Sequence, residues 1–255
     1  MSRVFVNFRS QNNAMRRILF FLTALVLFCA SCRFMGFRRI KGNGHLSTEE
    51  RHISHADHIV ISGSFDVQLT QGAVTTLKLE ADDNLLQHIA TDEEGGTLHI
   101  RPRKRNTNFQ TDHAMTVYIT TPKIERVAIE GSGSVIGKSK FAGGERLTLS
   151  IGGSGDIDLE VNTPEVKSNI AGSGTIILRG ETQNETIGIN GSGNFFADAL
   201  KAENATVSIA GAGDVKLFAD ATLNVNIAGS GSVLYKGNPS VKQKVIGGGD
   251  IRKID

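Results

Sequence analysis

The 255-residue chain has no tryptophan, two tyrosines and two cysteines, and its 28 basic and 26 acidic side chains leave a net charge of +2. This near-neutral charge gives no reason to expect a nucleic-acid partner. The two tyrosines, Tyr118 and Tyr235, offer few rings for stacking on sugars. Because no histidine follows His113, a serine–histidine triad in the second half of the chain is excluded.

Glycine, in contrast, is abundant, and 22 of the 29 glycines lie from Gly131 onward. A Gly-small-Gly step behind an isoleucine or valine occurs there seven times, at intervals of 18 to 22 residues. A nearly fixed period of this size indicates a coiled repeat. Since parallel crossovers are almost always right-handed, we predict an all-β protein, a right-handed parallel β-helix (solenoid) with about 18–22 residues per coil over residues 131–255.

Apolar residues flank each glycine step with a period of two, as Ile151 and Ile157 do around Gly153 and Gly155. Glycine suits the corner of a coil, because it accepts positive φ and because coils stack only about 4.8 Å apart. The column of serines between the glycines is better explained by tight packing than by catalysis. The predicted corner glycines are Gly131, Gly133, Gly153, Gly155, Gly172, Gly174, Gly191, Gly193, Gly211, Gly213, Gly229, Gly231, Gly247 and Gly249.

Residues 51–130 carry β-strand patterns without the full repeat, for example HIVISGSFDVQLTQG and MTVYITT. Residues 61–67 form a degenerate version of the glycine step. We therefore predict that this segment is continuous with the solenoid and caps its N-terminal end with irregular or hairpin-decorated coils. A helical turn is indicated only at NLLQHIAT.

Residues 1–32 have the features of a lipoprotein signal peptide. Two arginines precede an uncharged run over residues 18–30, which is too short to span a bilayer comfortably. Met15 is a candidate start because it stands directly before those arginines. The segment LFCASC resembles a bacterial lipobox, and Cys32 follows two small residues, so Cys32 is the predicted lipidation site. An ordinary secretory signal with incidental cysteines is the alternative.

A mature chain that begins at Cys32 retains no other thiol for a disulfide or a metal. Residues 33–50 are then predicted to be a tether whose arginines lie close to lipid headgroups. The predicted location is the cell envelope, with a lipid anchor in a membrane; which membrane face carries it stays open.

One family matches the order of these segments. The sequence IVISGSFDVQLTQG, then LKLEADDNLLQHIAT, TLHI and VYITTPKIERVAIEGSGSV, followed by repeated GSG steps, resembles the head GIN domain of auto-transporter adhesins. The resemblance covers residues 53–255. It implies a secreted or lipid-anchored bacterial β-helical domain, and it implies adhesion only through the family's label, because a fold is not a function.

Acidic residues on one strand are the candidate catalytic group, because several polysaccharide-cleaving enzymes are β-helices. Asp156 and Asp158 are two residues apart on one face, a spacing of about 7 Å, and Glu160 lies beyond them. Inverting glycosidases separate their two carboxyl groups by roughly 6.5 to 9.5 Å. The alternative is an exposed acidic strand that keeps the solenoid soluble.

No metal site or cofactor is predicted. The stretch GGSGDID departs from the calcium-binding nonapeptide, because its first aspartate comes one place early and the step recurs once per coil. On a strand, His52 and His58 would face one way and His55 the other, so three zinc ligands would not converge.

A basic run is predicted to form an exposed loop after the strand TLHI. Its charged members are Arg101, Arg103, Lys104 and Arg105. The loop is a candidate site for an acidic polysaccharide or a lipid headgroup, and a solvated turn is the alternative.

Three functions stay open at this point, of which the first is favoured. It is a non-catalytic, lipid-anchored binding or scaffold module of adhesin type, with a glycan or a protein surface as partner. The second is a polysaccharide lyase or hydrolase that uses Asp156, Asp158 and Glu160. The third is a scaffold that assembles into homo-oligomers, because an uncapped last coil at residues 247–255 would present unpaired backbone groups.

Overall fold

Strands make up 72% of the computed structural model, which describes residues 38–255. The predicted signal peptide, Cys32 and the first part of the tether lie outside the described residues. The strands are β1 (Arg38–Lys41), β2 (Leu46–Arg51), β3 (His58–Gly63), β4 (Asp66–Gln71), β5 (Thr76–Asp82), β6 (Ile89–Glu94), β7 (Thr97–Pro102), β8 (Thr107–Gln110), β9 (Thr116–Thr121), β10 (Arg126–Gly131), β11 (Ser134–Ala142), β12 (Arg146–Gly153), β13 (Asp156–Asn162), β14 (Glu165–Gly172), β15 (Thr175–Gly191), β16 (Asn194–Gly211), β17 (Asp214–Gly229), β18 (Ser232–Lys236), β19 (Ser240–Gly247) and β20 (Asp250–Lys253). One helical turn, α1 (Asp83–Leu86), lies at the predicted place.

Two sheets of stacked parallel strands form the solenoid, which has about seven turns and confirms the predicted β-helix. The first sheet contains the strands that end at a glycine corner, such as β12 and β14. The second sheet contains the strands that follow the corner, such as β13 and the first half of β15. Alternate side chains of both sheets point inward into one continuous hydrophobic core.

The glycine corners are the closest contacts between coils. Gly172 has a φ of +137°, and a Cβ built on it would lie 2.1 Å from the carbonyl oxygen of Gly153. A Cβ on Gly174 would lie 2.3 Å from the oxygen of Gly155 and 2.7 Å from Cγ2 of Ile151. The isoleucine before one corner thus packs against the second glycine of the next coil. The first glycine is required by its φ and by space, and the second by space alone.

The order of the first coils in space differs from their order in the chain. Strand β3 lies between β7 and β10, and β4 lies between β9 and β11. Gly63 pairs with Gly131, so the degenerate step at residues 61–67 is a true corner. Phe65 takes the place of the second glycine there and is fully buried. The chain therefore places its first coil second, and β7 and β9 form the outermost coil.

Antiparallel strands cap this N-terminal end, as the sequence predicts. Strand β6 pairs with β7, β5 pairs with β9, and β2 pairs with β5. Arg51 joins the cap together, because its guanidinium donates to the carbonyl oxygens of Ile89 at 2.7 Å and Leu86 at 2.8 Å. Acidic side chains along β2 and β6 protect the free edges of the cap from pairing with other chains.

The predicted tether at residues 33–50 needs correction. In its described part, β1 pairs in parallel with β8 and β2 pairs with β5, so residues 38–50 belong to the fold. Ile40 packs against the hydrophobic core, which supplies the reason. Only Ile40 of RRIK is apolar, so this segment has no alternating pattern from which a strand could be predicted.

Candidate functional site on the outer face of the second sheet

A row of apolar and charged side chains crosses the outer face of the second sheet. Successive coils pair in register along it, so the side chains lie next to one another about 4.8 Å apart. We call this set the outer row, and its members are Ile136, Asp158, Ile177, Phe196, Lys216 and Leu234. The five intervals give a straight surface about 24 Å long.

The apolar members of the outer row are only partly shielded from water. Ile136 is 40% exposed, and Ile177, Phe196 and Leu234 are half-buried. Their neighbours along the strands, such as Phe195, point inward and are fully buried. Large apolar side chains that face outward side by side are typical of surfaces that bind another molecule.

Charged groups are held in place between these apolar side chains. Arg179 donates two hydrogen bonds to Asp158, of 2.5 Å to Oδ1 and 3.0 Å to Oδ2. These bonds raise the pKa of Arg179. Lys216 Nζ lies 5.5 Å from the centre of the Phe196 ring, within the range of a cation–π contact. The outer row thus combines apolar contact area with fixed charges of both signs.

The candidate catalytic acids lie on this same face. Asp156, Asp158 and Glu160 point outward from β13, while the residues between them are buried. Both oxygens of Asp158 accept from Arg179, and Asp156 Oδ1 accepts from the backbone N–H of Thr175 at 3.1 Å. The geometry therefore uses two of the three acids in ion pairing and in fastening adjacent coils.

The outer face of the first sheet has a different character. From β12 to β17 it presents small and mostly uncharged side chains, with Lys167 as the charged exception along the middle of these strands; examples are Thr148, Ser150, Asn169, Thr186, Thr206, Ser208, Asn224 and Asn226. This face offers hydrogen-bonding groups but no large apolar side chain. It provides a natural comparison for experiments on the outer row.

A charged cleft of about 790 Å³ lies where the first-sheet strands begin. Lys123 Nζ lies 2.5 Å from Glu125 Oε1 and 3.3 Å from Asp57 Oδ2, and His58 Nε2 lies 3.3 Å from Glu125 Oε2. These contacts raise the pKa of Lys123 and lower the pKa of Glu125. Arg146 and Glu165, which also line the cleft, form a further ion pair at 2.7 Å, whereas Arg126 and Glu145 form none among the described residues. Most charges of the cleft are therefore paired, which weakens the attraction for a charged ligand.

Of the other candidate groups, the basic loop is exposed as predicted at Arg103, Lys104 and Arg105. Arg101 instead forms an ion pair with Asp92 at 2.8 Å. Within residues 38–255, no group of three or more His, Cys, Asp or Glu side chains could hold a metal ion.

The repeats, the corners and the capped first coils together match one protein family. The family described as "Putative auto-transporter adhesin, head GIN domain" matches residues 56–239. The chain belongs to this family. The first and last parts of the described fold, β1, β2, β19 and β20, extend beyond the matched region of this head GIN domain. None of the curated proteins compared with the chain matches it.

Solved structures show the same fold for the head GIN domain. A Parabacteroides distasonis protein described as a "Putative lipid binding protein" is 29% identical, with a TM-score of 0.73, and the alignment covers 86% of this chain and 100% of that chain. A "putative adhesin" from Bacteroides fragilis is 24% identical, with a TM-score of 0.77 and coverage of 84% and 100%. Another from Parabacteroides merdae is 23% identical, with a TM-score of 0.66 and coverage of 86% and 100%.

A buried carboxyl group in the head GIN domain was not predicted from the sequence. Glu185 is 1% exposed, and its side-chain oxygens have no hydrogen-bond partner within the described residues. Its neighbours on the adjacent coils are Val166 and Ala205, and the small Ala205 leaves room for it. Burial raises the pKa of Glu185 to about 8. Glu185 stands at the same place in the repeat as the inward-facing Leu147 and Val166, and this position could have revealed that its carboxyl group is buried.

Among the described residues, none of the helical segments has the length and apolar character needed to cross a membrane.

Proposed function

We propose that the chain is a lipid-anchored binding module of the bacterial cell envelope, of adhesin type and without catalytic activity, which binds its ligand along the outer row. Membership of the adhesin family supports an envelope or extracellular location and a binding role. The observation that carries the proposal is the row formed by the partly exposed side chains of Ile177, Phe196 and Leu234, with charged side chains beside them.

The ligand we favour is an extended protein segment. Branched aliphatic side chains and one phenylalanine suit apolar peptide side chains, and the ion pairs between them set orientation and register. Sugars bind best on flat faces of tyrosine and tryptophan, of which the chain has two and none. A glycan is therefore the second ligand class.

A peptide-display library and a glycan array test this proposal together. Peptides with spaced apolar residues should be enriched by the natural chain, and a double variant with Ile177→Ser and Phe196→Ser should bind them at least ten-fold more weakly. The matched control carries Thr206→Ala and Asn226→Ala on the outer face of the first sheet and should bind as the natural chain does. Equal loss in both variants, or binding of glycans alone, would contradict the proposed ligand.

A turnover screen on acidic polysaccharides tests the absence of catalysis. We expect no product from the natural chain. Product that disappears in a variant with Asp156→Asn and Asp158→Asn would establish the polysaccharide-active alternative and overturn the proposal.

The lipid anchor at Cys32 rests on the LFCASC segment and has a close internal control. The natural chain and a Cys29→Ser variant should both stay with membranes after a high-salt wash, which removes electrostatic binding. A Cys32→Ser variant should be released by the same wash. Retention of Cys32→Ser would refute lipidation at this cysteine.

The last coil favours a second function, assembly with further copies of the chain. Among the described strands, β19 pairs only with β17 and β20 only with β18, so one edge of each is open. Ile246 on β19 is 61% exposed. Open strand edges with apolar side chains favour pairing with another chain. Light scattering over a range of concentrations should show a rise in mass that Gln243→Pro abolishes, and a mass that stays monomeric would exclude this function.

A further inference from the structure

Two basic segments that are far apart in the sequence form one surface in the structure. Strand β1 pairs with β8, and the backbone N–H of Arg38 donates to the carbonyl oxygen of Asn106 at 2.8 Å. The start of β1 therefore lies beside the basic loop between β7 and β8. We call this set the basic face, and its members are Arg38, Arg39, Lys41, Arg103, Lys104 and Arg105, all of them exposed. Because side chains alternate along a strand, Arg39 and Lys41 lie on one side of β1 and Arg38 lies on the side of Ile40.

The strands that carry the basic face are packed against the rest of the protein. Ile40 on β1 and Phe109 on β8 pack against the hydrophobic core. The Phe109 ring meets the Phe65 ring edge to face, with 6.3 Å between ring centres and 62° between ring planes. These contacts hold the two-stranded sheet on the first glycine corner. The cationic side chains thus project from a backbone whose position is fixed, and the arrangement is preorganised for an anionic partner.

Most of the charge of the basic face has no acidic side chain beside it; the exception is Arg103, which shares a cleft with Glu49, Asp83 and Asp92 and donates to the Gln87 carbonyl oxygen at 3.1 Å. Within residues 38–255, none of its six members forms an ion pair, whereas the neighbouring Arg101 is paired with Asp92. The described residues as a whole carry 23 basic and 26 acidic side chains, because five of the 28 basic residues precede Arg38. A concentrated positive patch on a slightly negative domain gives the molecule a preferred orientation toward negative surfaces.

The position of this face along the chain identifies its partner. Arg38 comes six residues after Cys32 and eight residues after the uncharged run that ends at residue 30. Six extended residues span roughly 20 Å. With Cys32 held at a membrane, the basic face is therefore confined to the vicinity of the lipid headgroups. Paired signals of this kind, an anchor plus a polybasic patch, are how proteins achieve stable membrane attachment.

We propose that the basic face docks on a membrane surface that contains anionic phospholipids. Docking fixes the axis of the solenoid relative to the membrane and leaves the outer row, which faces sideways from the stacked coils, open to its ligand. The choice of a membrane as the partner rests on the proposed anchor at Cys32, whereas binding of the basic face to anionic lipid requires neither an acyl chain nor a ligand at the outer row.

Flotation with vesicles tests the inference on the full chain carrying Cys32→Ser, so that no acyl chain contributes. One set of vesicles contains phosphatidylcholine alone, and the other contains phosphatidylcholine with phosphatidylglycerol. The uncharged run at residues 18–30 should bind both sets alike, and the five arginines before Arg38 are present in every variant. A change between variants in the ratio of the two affinities therefore reports the contribution of the basic face. This ratio should fall to about one at roughly 1 M salt, where the screening length is about 3 Å.

Two triple variants test the two parts of the basic face, the loop after β7 and strand β1, separately. One carries Arg103→Gln, Lys104→Gln and Arg105→Gln, and the other carries Arg38→Gln, Arg39→Gln and Lys41→Gln. Each should lower the preference for phosphatidylglycerol vesicles on the order of 100-fold, since each basic residue near an anionic surface strengthens binding roughly five-fold. The control carries Lys242→Gln, Lys244→Gln and Lys253→Gln on the last coil, at the opposite end of the solenoid, and should keep the preference.

The opposite results would overturn the inference. One such result is that the chain with an unmodified basic face shows no preference for phosphatidylglycerol vesicles. Another is that the last-coil control loses this preference as much as the triple variants do, or that only one of the two triple variants loses it. Stronger binding to a soluble acidic polysaccharide than to anionic vesicles would likewise assign the face to a different partner. Circular dichroism of each variant shows whether the fold is intact. Failure of the lipid anchor would appear separately, in the salt-washed membranes of the Cys32→Ser and Cys29→Ser chains.

Discussion

Gly131 lies so close to Gly63 of the adjacent coil that a Cβ built on Gly131 would be 2.4 Å from the Gly63 carbonyl oxygen. The two glycines are 68 residues apart, whereas later corner glycines stack at intervals of 18 to 22. The intervening chain leaves the stack after β4, builds the cap and the outermost coil, and returns at β10. The Gly63 corner is therefore the template on which the regular coils begin.

Alanine substitutions at four glycines distinguish the two reasons for glycine at the corners, which are positive φ and lack of space for a Cβ. Alanine at position 172 combines positive φ with a backbone clash at 2.1 Å, so we expect a loss of about 4 kcal/mol in the free energy of unfolding. Alanine at position 174 meets a clash without positive φ and should cost about 2 kcal/mol. Chemical denaturation of both variants gives these values.

The matched controls are two glycines in the turn after β11. Gly143 has a φ of +89° with nothing within 4 Å of a built Cβ, so Gly143→Ala should cost only about 1 kcal/mol of backbone strain. Gly144 has neither constraint and should tolerate alanine. Equal losses at positions 144 and 172 would show that the corner is not a close-packed contact.

The regular coils could be predicted because each glycine step repeats the same physical requirement. Every coil except the last buries an isoleucine before the corner and leaves space after it, so the pattern returns at a nearly fixed interval. The first coils could not be ordered in this way. Phe65 replaces the second glycine, and the pairing of β3 with both β7 and β10 depends on contacts between distant segments.

Glu185 should make the stability of the solenoid depend on pH. Its pKa is raised by burial from 4.5 to about 8, so the unfolded chain loses this proton at lower pH than the folded chain does. Stability should therefore fall as pH rises between about 4.5 and 8, by on the order of 3 kcal/mol at pH 7. Denaturant unfolding at several pH values measures this slope.

Two substitutions at this position distinguish ionisation from burial of a polar group. Glu185→Leu continues the apolar column of Leu147, Val166 and Leu223, so it should raise stability at pH 7 and remove the slope. Glu185→Gln should also remove the slope but stay less stable than Glu185→Leu, because its buried amide lacks partners. A slope that persists in Glu185→Gln would assign the pH dependence to another group.

Asp82 should make the N-terminal cap sensitive to acid. Its carboxylate accepts hydrogen bonds from Thr111 Oγ1 and from the ring of His113, both at 2.7 Å, and these bonds lower the pKa of Asp82. The stabilisation is present above the unfolded pKa near 3.8 and is lost as pH falls through the lower folded pKa. Asp82→Asn should remove it at all pH values, with faster hydrogen exchange in β1 and β5.

The control for Asp82 is Asp83, which lies next in the chain and is exposed. Asp83→Asn should leave exchange in β1 and β5 nearly unchanged. If acid loosens the cap of Asp82→Asn as much as that of the natural chain, then Asp82 is not the group responsible.

The candidate binding surface was only half predictable. Alternation in the sequence places Phe195 in the inward column and so implies that Phe196 faces outward. Counting from the glycine step also places Phe196 beside Ile177 of the previous coil, because the register shift in β16 comes only after these two residues. The sequence does not show how far these side chains stay exposed to water. The outer row exists only through the pairing of coils.

Phe195 and Phe196 are adjacent, and comparing their alanine variants tests whether the first belongs to the core and the second to a binding surface. Phe195→Ala removes a fully buried ring and should cost about 4 kcal/mol in the free energy of unfolding. Phe196→Ala removes a partly exposed ring that contacts Lys216, so it should cost clearly less than Phe195→Ala, about 1 kcal/mol, while reducing ligand binding. The two variants have the same chemical change on the same strand, and denaturation with peptide binding measures both properties. A loss of stability in Phe196→Ala as large as that in Phe195→Ala would mean that the outer row serves the fold, and its exposed apolar side chains would no longer support a binding function.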